Sequence, residues 1–354
     1  MRKQIASLLV LIPVLILAGC TGNTTVEGTE QAVTTVATVQ TETQEATQPA
    51  PQGGLTKVTL MLDWVPNVNH TGIFVAQDQG YFTDAGLDVN IVQPGEVYAE
   101  QAVASSAADF GISFQEQVTL SRATQDVPLV SLAAIIQHNT SGFASMASKG
   151  AKSAKDWEGL TYGSFGSPFE TPTLQALMEC AGGDFTRLKT VEVGFADPLA
   201  LLQQGQIDLA WIFYGTQGIA AQQQGIDLNV VMMSDNTDCI PDYYTPILIT
   251  SEQMIQNKPD VVKAFVGGVS KGYQYAVEHP DESADILLKA APESDKTTLH
   301  AQQEWLSPQY QADTPRWGEQ KLEVWQNYSQ WMADNGIIDK PIDAQAAFTN
   351  KFLP

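Results

Sequence analysis

Asp63, Trp64, Asn67 and His70 fall within one eight-residue stretch directly after the apolar run 58–62. An indole offers a flat stacking face, an amide places a donor beside an acceptor, and an imidazole supplies either role. That mixture suits capture of a planar polar solute. Four other places join rings to hydrogen-bonding groups. Phe114 and Gln115 follow the run 110–113. Ser164, Phe165 and Ser167 follow 161–164, with Glu170 just beyond. Trp211 and Tyr214 close the run 209–213, and Tyr243 and Tyr244 follow Asp242. Rings on facing walls would sandwich a flat ligand at about 1–3 kcal/mol per stack. Desolvated hydrogen bonds would reject a mismatched ligand, whose buried polar groups stay unpaired.

Each candidate also has a purely structural alternative. Trp64 can cap a core, and His70 can open a helix. Glu170 can be an ordinary carboxylate at a helix start, where the dipole favours it. Trp211 and Phe213 share one strand face while Tyr214 lies on the other, which favours Tyr214 over Trp211 for the ligand side. Tyr243 and Tyr244 alternate in the same way, so one of them is expected to face the ligand. The loop Gly163, Ser164, Phe165, Gly166, Ser167 precedes a helix and offers backbone amides to an anion, although no Lys-Ser/Thr pair follows as in a phosphate-binding loop.

The elements that must carry these groups alternate. Apolar runs at 58–62, 89–92, 110–113, 129–136, 143–147, 161–164, 191–195, 209–213, 230–233 and 246–250 read as strands, with helices between them such as 171–181 and 198–204. Alternation of this kind predicts mainly parallel sheets covered on both faces. Ligands of open α/β sheets sit outside the carboxyl ends of the strands, where all five candidate groups fall. After 250 the strands stop. Residues 260–279 and 317–335 carry apolar positions at 3-and-4 spacing and read as long amphipathic helices.

The chain has 354 residues, is 44% hydrophobic, and carries a formal charge of -22 with no basic run. Such acidity opposes binding to nucleic acid. Residues 1–19 read as a signal peptide ending in Leu17, Ala18, Gly19 and Cys20. This looks like a lipobox, with Cys20 diacylated and the mature protein held on the outer face of a bacterial cell membrane. Residues 20–54, rich in Thr, Gln and Pro, predict a disordered tether spanning about 30–35 Å. Cys180 and Cys239 are expected to be buried and unpaired rather than bridged. No Cys/His spacing suggests a metal, and no cofactor is expected.

The run Asp63, Trp64, Val65, Pro66, Asn67, Val68, Asn69, His70, then Gln79, Gly80, Tyr81, Phe82 and Gly86, Leu87, Asp88, Val89, resembles solute-binding proteins related to thiamin-pyrimidine synthases. The likeness extends more weakly through Asp109, Phe110, Gly111, Ile112, then Gly194, Phe195, and Lys271, Gly272, Tyr273, Gln274. It implies an α/β, two-lobed fold like that of periplasmic binding proteins (type II). Residues 55–137 and 245–354 would form lobe 1, and 138–244 lobe 2. It also implies a monomeric, substrate-binding lipoprotein that works with the permease and ATPase of an ABC importer. A tethered sensor domain would look alike. Enzymes of the family use a Lys holding pyridoxal phosphate and a His four residues later. The matching positions here are Ser113 and Gln117, so catalysis is not expected. Pyrimidine binders of the family place a Glu after a Tyr pair, where this chain has Thr245. Without that carboxylate, and with added rings at 211, 213 and 214, riboflavin suits the chain better than a thiamin-precursor pyrimidine such as formylaminopyrimidine.

Overall fold

The structure, a computed structural model, describes residues 54–354 apart from Glu96, Asp126 and Phe195. The signal peptide, Cys20 and nearly all of the tether lie outside the described residues. Ten strands form: β1 Thr56–Met61, β2 Leu87–Val92, β3 Phe110–Ser113, β4 Leu129–Ala134, β5 Ser141–Met146, β6 Thr161–Ser164, β7 Lys189–Glu192, β8 Leu209–Phe213, β9 Leu228–Met232 and β10 Ile247–Ser251. They build two five-stranded sheets, ordered β2-β1-β3-β10-β4 and β7-β6-β8-β5-β9.

The sheets are mixed rather than mainly parallel. In the first, β1 pairs in parallel with β2 and β3, whereas β10 runs antiparallel to β3 and β4. In the second, β6 pairs in parallel with β7 and β8, and β5 runs antiparallel to β8 and β9. The reversed strand in each case is the one that has just arrived from the other lobe. It enters without a crossover helix in its own sheet, and that helix is what a parallel neighbour requires. The chain passes between lobes once between β4 and β5 and again between β9 and β10.

Each sheet has its own core. Leu60, Phe110, Phe265, Tyr273 and Trp317 pack in the first, and Phe143, Trp157, Tyr162, Leu177 and Leu209 in the second. The edge of β4 does not stay open, because the C-terminal chain bridges it at Gly318 and Phe348. Gly318 takes a φ of 86°, in the left-handed region, and the helix expected over 317–335 therefore begins later, as Leu322–Asp334. Trp317 instead stacks on Tyr273 at 4.6 Å, with its indole N–H donated to the Ile135 carbonyl.

Cys180 and Cys239 form a disulfide with their Cα atoms 5.8 Å apart, against the expectation of buried thiols. Cys180 ends the helix Glu170–Cys180 on the surface, and Cys239 is half-buried beside it, so neither is held in an apolar interior. Among the described residues no helix is long and apolar enough to cross a membrane.

Candidate functional site

A cleft of about 640 Å³ opens between the two sheets. It lies in the size range of pockets that enclose drug-sized ligands, about 300–1,000 Å³. Its walls come from the carboxyl ends of β1, β3, β6 and β8, as the strand-end rule requires.

On the first lobe, the loop after β1 brings Asp63, Trp64 and Asn67 to the cleft. Asn67 caps the short turn Val68–His70, its amide oxygen accepting from the Asn69 N–H at 2.9 Å and its amide nitrogen donating to the Val65 carbonyl. His70 is fully buried and does not reach the cleft. Its Nδ1 accepts from the Asn67 N–H, so the proton sits on Nε2 and is donated to Asp63 at 2.6 Å. The imidazole aims the Asp63 carboxylate and fixes the loop. The loop is also held from beneath. Tyr273 donates to the Asn69 carbonyl at 2.6 Å, and Tyr310 to that of Val68. Tyr273 reaches it because Gly272 lets the helices Thr71–Asp78 and Pro259–Glu278 touch. A Cβ at Gly272 would stand 1.8 Å from the Gly72 carbonyl oxygen.

After β3, Phe114 lines the cleft but Gln115 does not. Gln115 is fully buried. It exchanges two hydrogen bonds with Tyr244, from Gln115 N to Tyr244 O at 3.1 Å and from Tyr244 N to Gln115 Oε1 at 2.9 Å. This clamp ties the first-lobe helix Gln115–Thr124 to the return crossover. Neither Tyr243 nor Tyr244 faces the ligand space: Tyr243 stacks on Tyr328 at 4.1 Å, and Tyr244 accepts from the Lys321 N–H.

On the second lobe, Phe165, Phe169 and Trp211 form an edge-on cluster with centroids 6.0–6.3 Å apart. Trp211 is oriented by donation to Ser141 Oγ at 2.9 Å. Phe213 follows on the same face and meets Phe114 of the first lobe at 6.3 Å. Two ring contacts of about 3.5–4.0 Å each need more room than that, so this pair closes one end of the cleft rather than sandwiching a ring. The alternation of Trp211 and Phe213 against Tyr214 is as expected, but the ligand side is theirs. Tyr214 turns away and packs on Trp305 at 5.1 Å, its hydroxyl accepting from Gln222. Beside it Gln302 donates to the Thr216 carbonyl, joining the C-terminal helix Lys296–Leu306 to the second lobe.

Ser167 and Phe165 line the cleft, whereas Ser164 and Glu170 do not. Glu170, 2% exposed, accepts from Tyr162 Oη, Ser164 Oγ, Phe165 N and Ser167 N. The loop amides expected to face an anion are thus taken by the protein's own carboxylate. Burial, and then the charge of Glu170, push the Tyr162 hydroxyl far above its usual range.

Several lining residues escape a strand-by-strand reading: Tyr98, Glu100, Glu116 and Gln302. Glu116 follows Gln115 by one position, so the strand-end rule applied one residue further would have reached it. Tyr98 and Glu100 begin the helix Ala99–Ala104, whose approach to β3 has no local signature. Burial raises both Glu100 and Glu116, the latter to about 8, and Glu100 adds repulsion to Glu116. Ser113 donates its hydroxyl to Glu100. Among the described residues no cluster of carboxylates, His or Cys could hold a metal ion, and no Lys, Arg or His lines the cleft.

At the crossovers, His138 bonds Asp242 at 2.6 Å and Asp313 at 3.1 Å, and the Asp242 bond leads in raising its imidazole to about 9.

Residues 67–283 match the family model described as NMT1/THI5 like. The chain is 30% identical over 301 residues to the formylaminopyrimidine-binding protein of Halalkalibacterium halodurans, covering 84% of this chain and 90% of that one. It is 26% identical to the riboflavin-binding protein RibY of Chloroflexus aurantiacus, covering 86% and 89%. Among solved structures, the periplasmic aliphatic sulphonate binding protein SsuA of Escherichia coli superposes with a TM-score of 0.63 at 14% identity, over 82% of this chain and 91% of that one. That likeness establishes the two-lobed periplasmic-binding-protein fold.

Proposed function

This chain belongs to the NMT1/THI5-like family, and from that premise we propose that it is the solute-binding component of an ATP-driven importer, capturing riboflavin between its lobes. The observation that carries this reading is the cleft itself. It is large, ringed by Trp64, Tyr98, Phe165, Trp211 and Phe213, and free of cationic side chains among the described residues. A tricyclic flat ring gains from each aromatic contact. The polar rim of Asn67, Gln101 and Gln117 suits a hydroxylated tail. A sulfonate or phosphate would instead find no countercharge among the described lining residues. Binding to both walls favours the closed arrangement, and closure follows from that difference in affinity alone.

A second reading, an aminopyrimidine, is favoured by the lining carboxyls Asp63, Glu100 and Glu116. The acid that the sequence lacks at Thr245 is supplied from Glu116. Binding without catalysis is part of the proposal, because Ser113 and Gln117 stand where the family's synthases carry Lys and His. Export and lipid tethering through Cys20 complete it, and loss of radiolabelled fatty acid in Cys20→Ala cells is the expected check.

The ligand is tested by calorimetric titration of the purified protein with riboflavin, formylaminopyrimidine and taurine. Riboflavin is expected to bind one to one and to leave protein from rich medium yellow. Heat from formylaminopyrimidine alone would select the second reading. Heat from taurine alone would discard both.

A further inference from the structure

Among the described residues, two side-chain polar atoms of the cleft lining are buried without a hydrogen-bond partner in the protein: Glu116 Oε2 and Thr245 Oγ1. They belong together. β10 pairs antiparallel with β3, Ile247 opposite Ser113, so Thr245, two residues before Ile247, and Glu116, three residues after Ser113, lie at the same end of the sheet, where both line the cleft next to the hinge. Glu116 is 4% exposed and Thr245 1%. An orphaned buried polar group is costly, so a pair of them facing a cavity marks where a ligand supplies the missing partners.

The groups around Glu116 decide which form of the carboxyl meets the ligand. Glu100 stands on the helix Ala99–Ala104, Tyr243 on the return crossover and Tyr328 on the helix Leu322–Asp334; none carries positive charge. The one favourable influence on the ionised form is Glu116's own backbone N–H. Burial outweighs it, and the group is held protonated up to about pH 8.

Resting on the reading of the cleft as a heteroaromatic site, we infer that Glu116 reads the edge of the bound ring as a neutral carboxyl, its O–H donating to a ring acceptor and its C=O accepting from the adjacent N–H, so that capture of the solute depends on one proton. An ionised carboxylate only accepts; the neutral group does both side by side. The complementary chemistry is an uncharged ring edge with an acceptor next to an N–H. The amino-pyrimidine edge has it, and so does the imide edge of a flavin.

The test uses riboflavin and formylaminopyrimidine as separate probes, titrated from about pH 7 to about pH 9.5 into wild type, Glu116→Gln and Glu116→Ala. For one proton with a pKa of about 8, wild-type affinity for the true ligand should weaken about thirtyfold across this range. Glu116→Gln, whose amide also donates and accepts, should bind within about fivefold of wild type at pH 7 and show no pH dependence. Glu116→Ala should bind at least about tenfold more weakly. A flat wild-type profile overturns the inference, as does a Gln variant as impaired as the Ala variant. Either result leaves the cleft reading intact, because the probe still binds. If neither probe binds wild type at any pH, the cleft reading fails and this inference falls with it. Should the Ala variant not fold, the wild-type and Gln profiles decide alone.

Discussion

The two lobes share one strand plan and bring rings to the cleft alike, but among the described residues only the first brings carboxyls. In each sheet the order is second, first, third, visiting and fourth strand, with the visitor antiparallel to both neighbours. No repeat of sequence accompanies this repeat of topology. The first lobe turns carboxyls and amides toward the cleft, Asp63, Asn67, Glu100, Glu116 and Gln117, beside its rings Trp64, Tyr98 and Phe114. The second turns rings: Phe165, Phe169, Trp211 and Phe213. The plan puts strand ends at the cleft, and the residues placed there are free to differ because they bear little of the fold. The first wall can therefore read the edge of a planar solute while rings from both walls cover its faces.

The lobes also hold their loops differently, and the largest expected effects come from breaking those supports. In the first lobe the support is close helix packing. Gly272→Ala drives a Cβ into the Gly72 carbonyl, and a loss of about 3 kcal/mol or more is expected in urea unfolding, with ligand affinity falling in parallel. In the second lobe the support is one buried carboxylate. Glu170→Gln retains the shape but presents an NH₂ to backbone donors, and about 2–3 kcal/mol should be lost. If Glu170→Gln is as stable as wild type but fails to bind, Glu170 is a ligand contact and its supporting role is wrong.

The next contrast lies between one strand and the turn that follows it. Trp211→Ala removes a wall ring and should weaken ligand binding about 5- to 150-fold, as loss of one stack of about 1–3 kcal/mol implies. Tyr214→Ala removes a ring that packs on Trp305 and should change affinity less than about threefold. Fluorescence titration of both variants reads the difference, and reversed magnitudes would return Tyr214 to the cleft.

The smallest effect joins the lobes. His138 is raised from 6.5 to about 9, chiefly by Asp242. A basic group whose pKa rises on folding adds stability that is complete below its unfolded pKa and is lost as pH climbs through the folded one. The imidazole is 47% exposed, so solvent screening keeps the contribution under about 1 kcal/mol. His138→Gln should therefore lower the melting temperature slightly near pH 6 and not at all above about pH 9.5. A deficit that grows with pH would contradict the ion-pair assignment.

Most strands were legible because they are short apolar runs between turn residues, a signal contained in a few neighbours; β7 is the exception, an exposed strand at Lys189–Glu192 where 191–195 was expected. β3, β6 and β8 fall where the runs 110–113, 161–164 and 209–213 predict. The strand-end rule then located the cleft loops. It could not separate Asn67, which lines the cleft, from His70, which braces Asp63 behind it, since both are polar residues of one loop. Nor could it show Glu170 occupying the amides of its own loop, or Cys180 meeting Cys239 across a separation of 59 residues.

What the amino-acid order determined by itself is the alternation of elements and the faces of each strand, because periodicity is a property of adjacent residues. Which of those faces borders the cleft was a tertiary decision. Trp211 rather than Tyr214 faces it because Tyr214 found Trp305 on a helix some ninety positions away. Glu116 and Thr245 share a corner because the start of β10 pairs with the end of β3, Ile247 opposite Ser113, from far along the chain. Contacts of that range depend on how whole elements pack, and no local pattern carries them.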